Sequence, residues 1–270
     1  MNFTEYKRIA NALKMQPSNK YSTWDNIMQL CLNMYEDNQD YLKYCLKLSK
    51  AVKLSAQRLL LQNRDVRFED LYWQAVKFEA PHLFDSYLLY LERKRLEQDR
   101  FYSPKRKQLN KHGLIQSLQD MEDDKLDILS ISMPPGTQKT TLEKFFCSWI
   151  IGRHPDDFSL FFSHSGDITR MFYDGVMDIT TNSDEYCWQE IFPDVKFHST
   201  NAKRETINFN KYKPFSNIQC TSVGSKNAGK VRANRYLYCD DLIGGIEEAL
   251  NKNILDKLWR IYGTDAKQRK

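Results

Sequence analysis

The sequence predicts an α/β protein in which a mostly parallel sheet flanked by helices follows an all-helical N-terminal region. Three observations carry that expectation. None of the ten glycines precedes Gly113, so the first part of the chain lacks the residue that most readily interrupts a helix. From about residue 100 onward, short apolar runs alternate with segments of helical periodicity, the pattern of strands joined by crossover helices. The segment MPPGTQKTT, residues 133–141, stands between one such apolar run and one such helical segment.

The elements follow in order. Leu42, Cys45, Leu46, Leu48 and Val52, then Leu71, Ala75 and Phe78, recur at helical spacing. Pro17 and Pro81 mark breaks between the helices. A helix is expected over 104–121, a strand over 127–133, a helix over 140–152, a strand over 158–163 and a helix over 168–180. Shorter strands are expected near 195–198, 206–210 and 218–223, then a strand at 235–240 and a helix at 246–262. The chain thus divides into a helical region, 1–98, and a sheet-containing core, 99–270. Ligands of such sheets bind at the carboxyl ends of the strands.

Bulk composition narrows the function classes. With 41% hydrophobic and 28% charged residues, the 270-residue chain has the make-up of a folded domain, not of a disordered segment. It contains no apolar run of membrane-spanning length, so no membrane partner is expected. Its first residues, MNFTEYKRIANALK, lack the apolar core of a secretory signal. The six cysteines (Cys31, Cys45, Cys147, Cys187, Cys220, Cys239) form no C-x-x-C pair, which argues for reduced core thiols against a zinc site or disulfide framework. The net charge of +5 permits a nucleic-acid partner without demanding one. The run Arg93, Lys94, Arg95, Arg100, Lys105, Arg106, Lys107 and Lys111, against Glu97 and Asp99, reads either as a solvated helix face or as a nucleic-acid or nucleotide contact.

Strand, tight loop, Lys-Thr, helix is the order of a phosphate-binding loop. Pro135, Gly136, Thr137 and Gln138 would form the backbone cradle, with Thr141 in the first turn of the helix behind it. Lys139 would reach the β- and γ-phosphates as a point charge, and Thr140 would place its hydroxyl on Mg²⁺. The usual spacing is G-x-x-x-x-G-K-[ST], and here Met133 and Gln138 occupy the two glycine positions. Gln138 is the serious departure, because glycine there lets the backbone approach the phosphate. A Pro-Pro-Gly turn before an ordinary helix is the alternative. The second motif, residues 236–241, is an apolar run ending in two carboxylates. Asp240 would hold Mg²⁺ through water, and Asp241 would orient or deprotonate the attacking water. Together the two motifs predict an ATP hydrolase that uses ATP and Mg²⁺, with Lys139 and Asp241 as its catalytic groups.

MPPGTQKTT, LFFSHSGDITRMFYDGV and TSVGSKNAGKVRANRYLYCDDLIGGIEEAL resemble the ATPase (P-loop motor) domain of the terminase large subunit of tailed bacteriophages. That motor drives double-stranded DNA into a capsid. The resemblance covers roughly residues 88–270 and includes LYLERKRLEQDRFYSPKRKQL, where Phe101, Tyr102, Pro104 and Arg106 stand at the place of an adenine contact. It implies that Tyr102 and Arg106 help hold the nucleotide. It implies that Lys226, Lys230 and Arg232, with Arg170, are candidates to meet DNA phosphates or the nucleotide of a neighbouring subunit; Arg153 is another. His164 is a candidate coupling residue. The implied partners are double-stranded DNA, the terminase small subunit, the portal protein of the procapsid and further copies of the chain in a ring. The implied location is the cytoplasm of the bacterial host. Such subunits continue into a nuclease domain; none follows Lys270 in this sequence, so nuclease activity is not expected of this chain and the core is expected to be C-terminally incomplete. Two other readings stand beside this one: a helicase-like or other P-loop ATPase acting on nucleic acid, and an impaired terminase fragment that acts only as a binding module.

Overall fold

The computed structural model describes residues 73, 76–77, 79–134, 136–223, 232–261 and 263. The helices expected before residue 73 lie outside the described residues. The chain divides into two compact units, Met1–Lys125 and Leu126–Lys270. That division lies beyond the expected boundary at 98/99, because the helices that follow residue 100 pack on the helix before it.

In the first unit, α1 (Phe84–Leu91), α2 (Tyr102–Lys111) and α3 (Leu114–Glu122) pack together. The helix expected over 104–121 is two helices, broken where Gly113 takes a φ of 71°, a left-handed conformation that glycine adopts without strain. Every residue of α1 is buried. Asp85 of α1 accepts hydrogen bonds from the Tyr102 hydroxyl, from Arg106 Nε and Nη2 at 3.0 and 2.9 Å, and from Asn110 Nδ2 at 3.2 Å. Glu92 accepts from the Phe101 and Tyr102 backbone N–H groups at 2.9 and 2.8 Å. It thereby satisfies donors at the start of α2 that have no partner within the helix.

The second unit is an α/β structure built on β1 (Ser159–Ser163), β2 (Phe197–Asn201), β3 (Thr206–Phe209), β4 (Ile218–Ser222) and β5 (Leu237–Cys239). Its helices are α4 (Lys139–Arg153), α5 (Gly166–Thr181), α6 (Trp188–Ile191), α7 (Ile246–Leu250) and α8 (Lys252–Ile261). The strand order is β2-β3-β4-β1-β5. β1 runs parallel to β4 and β5, whereas β2–β3 and β3–β4 are antiparallel. The sheet is therefore mixed and not mostly parallel. The reason is connection length: the turn at 202–205 and the loop at 210–217 are too short for a crossover, which needs a dozen or more residues.

Two further expectations change. The run at 127–133 forms no strand, and Ile128 is 77% exposed. A strand exists through its partner, and none of the described strands pairs with this run. The helix expected over 246–262 is broken by the extended backbone of Asn251 (φ −95°, ψ 104°).

One face of the sheet is covered by helices. The Phe172 ring of α5 stacks on Phe161 of β1, with centroids 3.8 Å apart and planes 12° apart. Buried residues of α5 fall at 169, 172, 173, 176, 179 and 180, a single helical stripe. Ser165 caps this helix by accepting from the Ile168 N–H at 3.3 Å. Residues 145–152 of α4 are all buried, so its C-terminal half is enclosed on every side. The α6 turn, which periodicity did not announce, is anchored by the Trp188 indole N–H donating to the Ser148 carbonyl at 2.9 Å.

Gly152 is where this packing is tightest. A Cβ there would lie 2.3 Å from the Phe192 ring. Gly152→Ala is expected to lower stability by about 1–3 kcal/mol, read as a lower urea midpoint with an unchanged slope. No helix among the described residues is long and apolar enough to cross a membrane.

Candidate functional site

The site gathers at the carboxyl end of β5 and the start of α4. Pairing of β5 with β1 fixes the first part: the Asp240 N–H donates to the Phe162 carbonyl at 3.0 Å, one residue past the end of the strand. The Asp240 side chain is 4% exposed. Its Oδ1 lies 2.6 Å from Lys139 Nζ, and its Oδ2 accepts from the Thr140 hydroxyl at 2.7 Å. Two neighbouring residues at the head of α4 thus hold both oxygens of a carboxylate a hundred positions away. The bond to Asp240 is the main cause that raises the Lys139 pKa above the usual lysine value.

The loop before α4 has an irregular backbone. Gly136 has φ +79° and Gln138 has φ 63°, ψ 40°. Gln138 therefore takes the left-handed conformation natural to glycine, at a cost of roughly 1–2 kcal/mol for a side chain with a Cβ. The Gln138 carbonyl accepts from the Thr141 and Leu142 N–H groups at 3.1 and 3.3 Å, which starts the helix. The Thr137 hydroxyl donates to the Pro134 carbonyl at 2.7 Å and closes the loop. Turns of this kind aim successive backbone N–H groups into one concavity, and a helix N-terminus adds its dipole. Pro135 lies outside the described residues.

Asp241 follows with φ 49°, a left-handed conformation that aspartate tolerates better than most residues. Its side chain is exposed. Its carbonyl accepts from the His164 backbone N–H at 3.1 Å and from His164 Nδ1 at 2.6 Å. A carbonyl only accepts, so Nδ1 carries the proton. His164 thereby ties the end of β1 to the end of β5.

Glu143 belongs to the same cluster and went unremarked in the sequence. It lies four residues after Lys139, on the same helix face, and that spacing was the available signal. Burial first, then the negative charge of Asp240, pushes its carboxyl up to about 8, against Lys139 and Lys144. Between the ordinary glutamate value of 4.5 and about 8, the folded state therefore holds a proton that the unfolded state has released. Stability falls as pH rises through that window. Glu143→Gln is expected to be more stable than the parent near pH 8, by ~1–2 kcal/mol, and equal to it near pH 4, in urea titrations at the two pH values.

Several of the other candidates have partners of their own. The Tyr102 ring is completely buried and its hydroxyl is held by Asp85, so it offers no face to an adenine. Arg106 is forked onto the same carboxylate. Arg170 donates to Asp174 and to the Ala202 carbonyl, both at 2.9 Å, and lies over the Tyr173 ring. Arg153 lies over Trp149. Arg232 is exposed, and Lys226 and Lys230 lie outside the described residues.

Among the described residues, no group of three His, Cys, Asp or Glu side chains is placed to hold a metal by itself. One buried carboxylate beside a threonine hydroxyl, with an ammonium on the carboxylate as stand-in cation, does fit Mg²⁺, which takes one or two protein oxygens and completes its shell with phosphate and water. Comparison with protein-family models, curated proteins and solved structures finds no match for this chain.

Proposed function

We propose that this chain is a P-loop ATPase, the ATPase part of a tailed-phage terminase large subunit, which hydrolyses ATP to drive double-stranded DNA into a capsid. The observation that carries the ATPase reading is the convergence of Lys139 and Thr140 on the two oxygens of Asp240. Two motifs a hundred positions apart meet at 2.6 and 2.7 Å, which is what a shared phosphate and magnesium site requires. The resemblance of residues 88–270 supports the packaging role, with the small subunit, the portal protein and a ring of like subunits as partners in the host cytoplasm.

The residues divide the work as follows. The loop N–H groups around Gly136 and Gln138 receive the phosphates, and Lys139 leaves Asp240 to neutralise the oxygens being transferred. Thr140 and Asp240 would hold Mg²⁺, which would supply charge neutralisation to the phosphates. Asp241 lies beside them, exposed to solvent, and aims the attacking water. Catalysis here is positioning and electrostatics, with no covalent intermediate.

A second reading, a binding module without turnover, is favoured by one observation, the glutamine at a left-handed position of the loop. Titration with Mg-ATP tests both. Wild-type protein is expected to bind, and Gln138→Gly to bind several-fold more tightly, because without the side chain the backbone approaches the phosphate more closely. Absence of Mg-ATP binding in both proteins would exclude the ATPase reading, and binding without hydrolysis would establish the module.

A further inference from the structure

The ladder between β1 and β5 slips by one residue where the two carboxylates stand. Leu160 pairs with Leu237, and Phe162 with Cys239. In that register the Leu160 N–H donates to the Tyr236 carbonyl and the Asp240 N–H to the Phe162 carbonyl, both at 3.0 Å. Carried one step further, a regular parallel ladder would put the His164 N–H on the Asp240 carbonyl. It lies instead on the Asp241 carbonyl, at 3.1 Å. One extra residue has entered on the β5 side, as in a β-bulge, and Asp241 takes it up with φ 49°.

The slip bears on where Asp241 faces. Side chains alternate along a strand. Tyr238 contacts Phe146 of α4 and Phe172 of α5, so Asp240, two residues on, shares the helix-covered face and meets Lys139 and Thr140 there. A regular next residue would fall on the other face, with Leu160, Phe162 and Leu237. The left-handed turn breaks that alternation, and bulges of this kind re-aim a side chain. The Asp240 bond is the chief cause that raises Lys139 above the usual lysine value, and the charge of Asp241 adds to it.

His164 seals the slip. Its backbone N–H and its ring Nδ1–H both donate to the Asp241 carbonyl, the ring at 2.6 Å. The buried Ser163 hydroxyl adds a longer contact of 3.4 Å. A neutral ring that donates through Nδ1 keeps Nε2 as an acceptor. We infer that His164 is a positioning residue for ATP hydrolysis: its Nδ1–H holds the bulge at Asp241 and so keeps the Asp241 carboxylate where it aims the attacking water. The inference rests on the ATPase reading and adds to it the side chain that holds the water-aiming group. His164 acts through Asp241 and not on the nucleotide.

Phosphate-release kinetics and Mg-ATP titration of His164 variants test it. His164→Ala is expected to lower kcat about ten- to a hundredfold and to leave Mg-ATP affinity unchanged, because the displaced group works only in the transition state. His164→Asn, whose amide N–H stands near the place of Nδ1, is expected to restore most of the rate. His164→Gln, whose amide stands near the place of Nε2, is not. In an Asp241→Ala background, His164→Ala is expected to cost nothing further, since the group it positions is gone. Nitrogen NMR of the nucleotide-free parent, at a pH where the ring is neutral, is expected to find the proton on Nδ1. Rescue by Gln and not by Asn, independent losses in the double variant, a fall in affinity that matches the fall in rate, or a proton on Nε2 each overturns the inference and leaves the ATPase reading standing. A parent protein that binds no Mg-ATP and turns none over overturns the ATPase reading itself, and the role of His164 with it.

Discussion

Lys139→Ala and Asp240→Ala should each lower ATP turnover by about a hundredfold or more, the loss expected when a preorganised charge at the transferred phosphate is removed. The two changes act on one unit, so the double variant should be little worse than either alone. Their effects on binding should differ. Lys139→Ala leaves the Asp240 carboxylate, 4% exposed, with the Thr140 hydroxyl on Oδ2 and without the Lys139 countercharge at Oδ1. Mg²⁺ should then be taken up readily at that carboxylate while the triphosphate is held weakly. Asp240→Ala frees Lys139 and Thr140 together, and nucleotide binding should lose most of its Mg²⁺ dependence. Phosphate-release assays and titrations with and without Mg²⁺ distinguish these outcomes. Turnover unchanged in both variants would remove the site assignment.

The second large effect lies away from that chemistry. Asp85→Ala should destabilise the first unit by ~3–5 kcal/mol, because it leaves the Arg106 guanidinium, the Tyr102 hydroxyl and Asn110 without the carboxylate they converge on. Asp85→Asn keeps the shape but loses the charge opposite Arg106, and should fall between the two. Thermal unfolding checks both. The same network sets a limit at alkaline pH. Burial first, then the Asp85 charge, raises the Tyr102 pKa above the ordinary tyrosine value of 10.0. The folded state then keeps a proton that the unfolded state releases, so stability should decline as pH rises above about 10. Tyr102→Phe should remove that decline and cost a hydrogen bond at neutral pH.

The order of elements and the ends that carry chemistry were legible locally. The helix at Lys139–Arg153 and the strands at Ser159–Ser163 and Ile218–Ser222 lie within a residue or two of their expected bounds. Their apolar positions are all buried. The run at 127–133 misled because alternation shows what a strand needs and not whether a neighbour is there to meet it. Phe101, Tyr102 and Arg106 misled for a related reason. An aromatic beside a basic residue suits a base as well as it suits a buried carboxylate, and Asp85, seventeen residues before Tyr102, decided between them.

The amino-acid sequence by itself determined that a lysine and threonine would head a buried helix, that paired aspartates would end a strand, and that helices and strands would alternate between them. Those are consequences of spacing, because periodicity and turn chemistry act over a few residues. Only the tertiary structure decided the rest. It brought Asp240 onto Lys139 and Thr140, because β5 pairs with β1 and so places its carboxyl end at the head of α4. It made the sheet mixed, because the 202–205 turn closes a hairpin. It also put Gln138 in the left-handed conformation at the head of α4, against the preference of a residue with a Cβ.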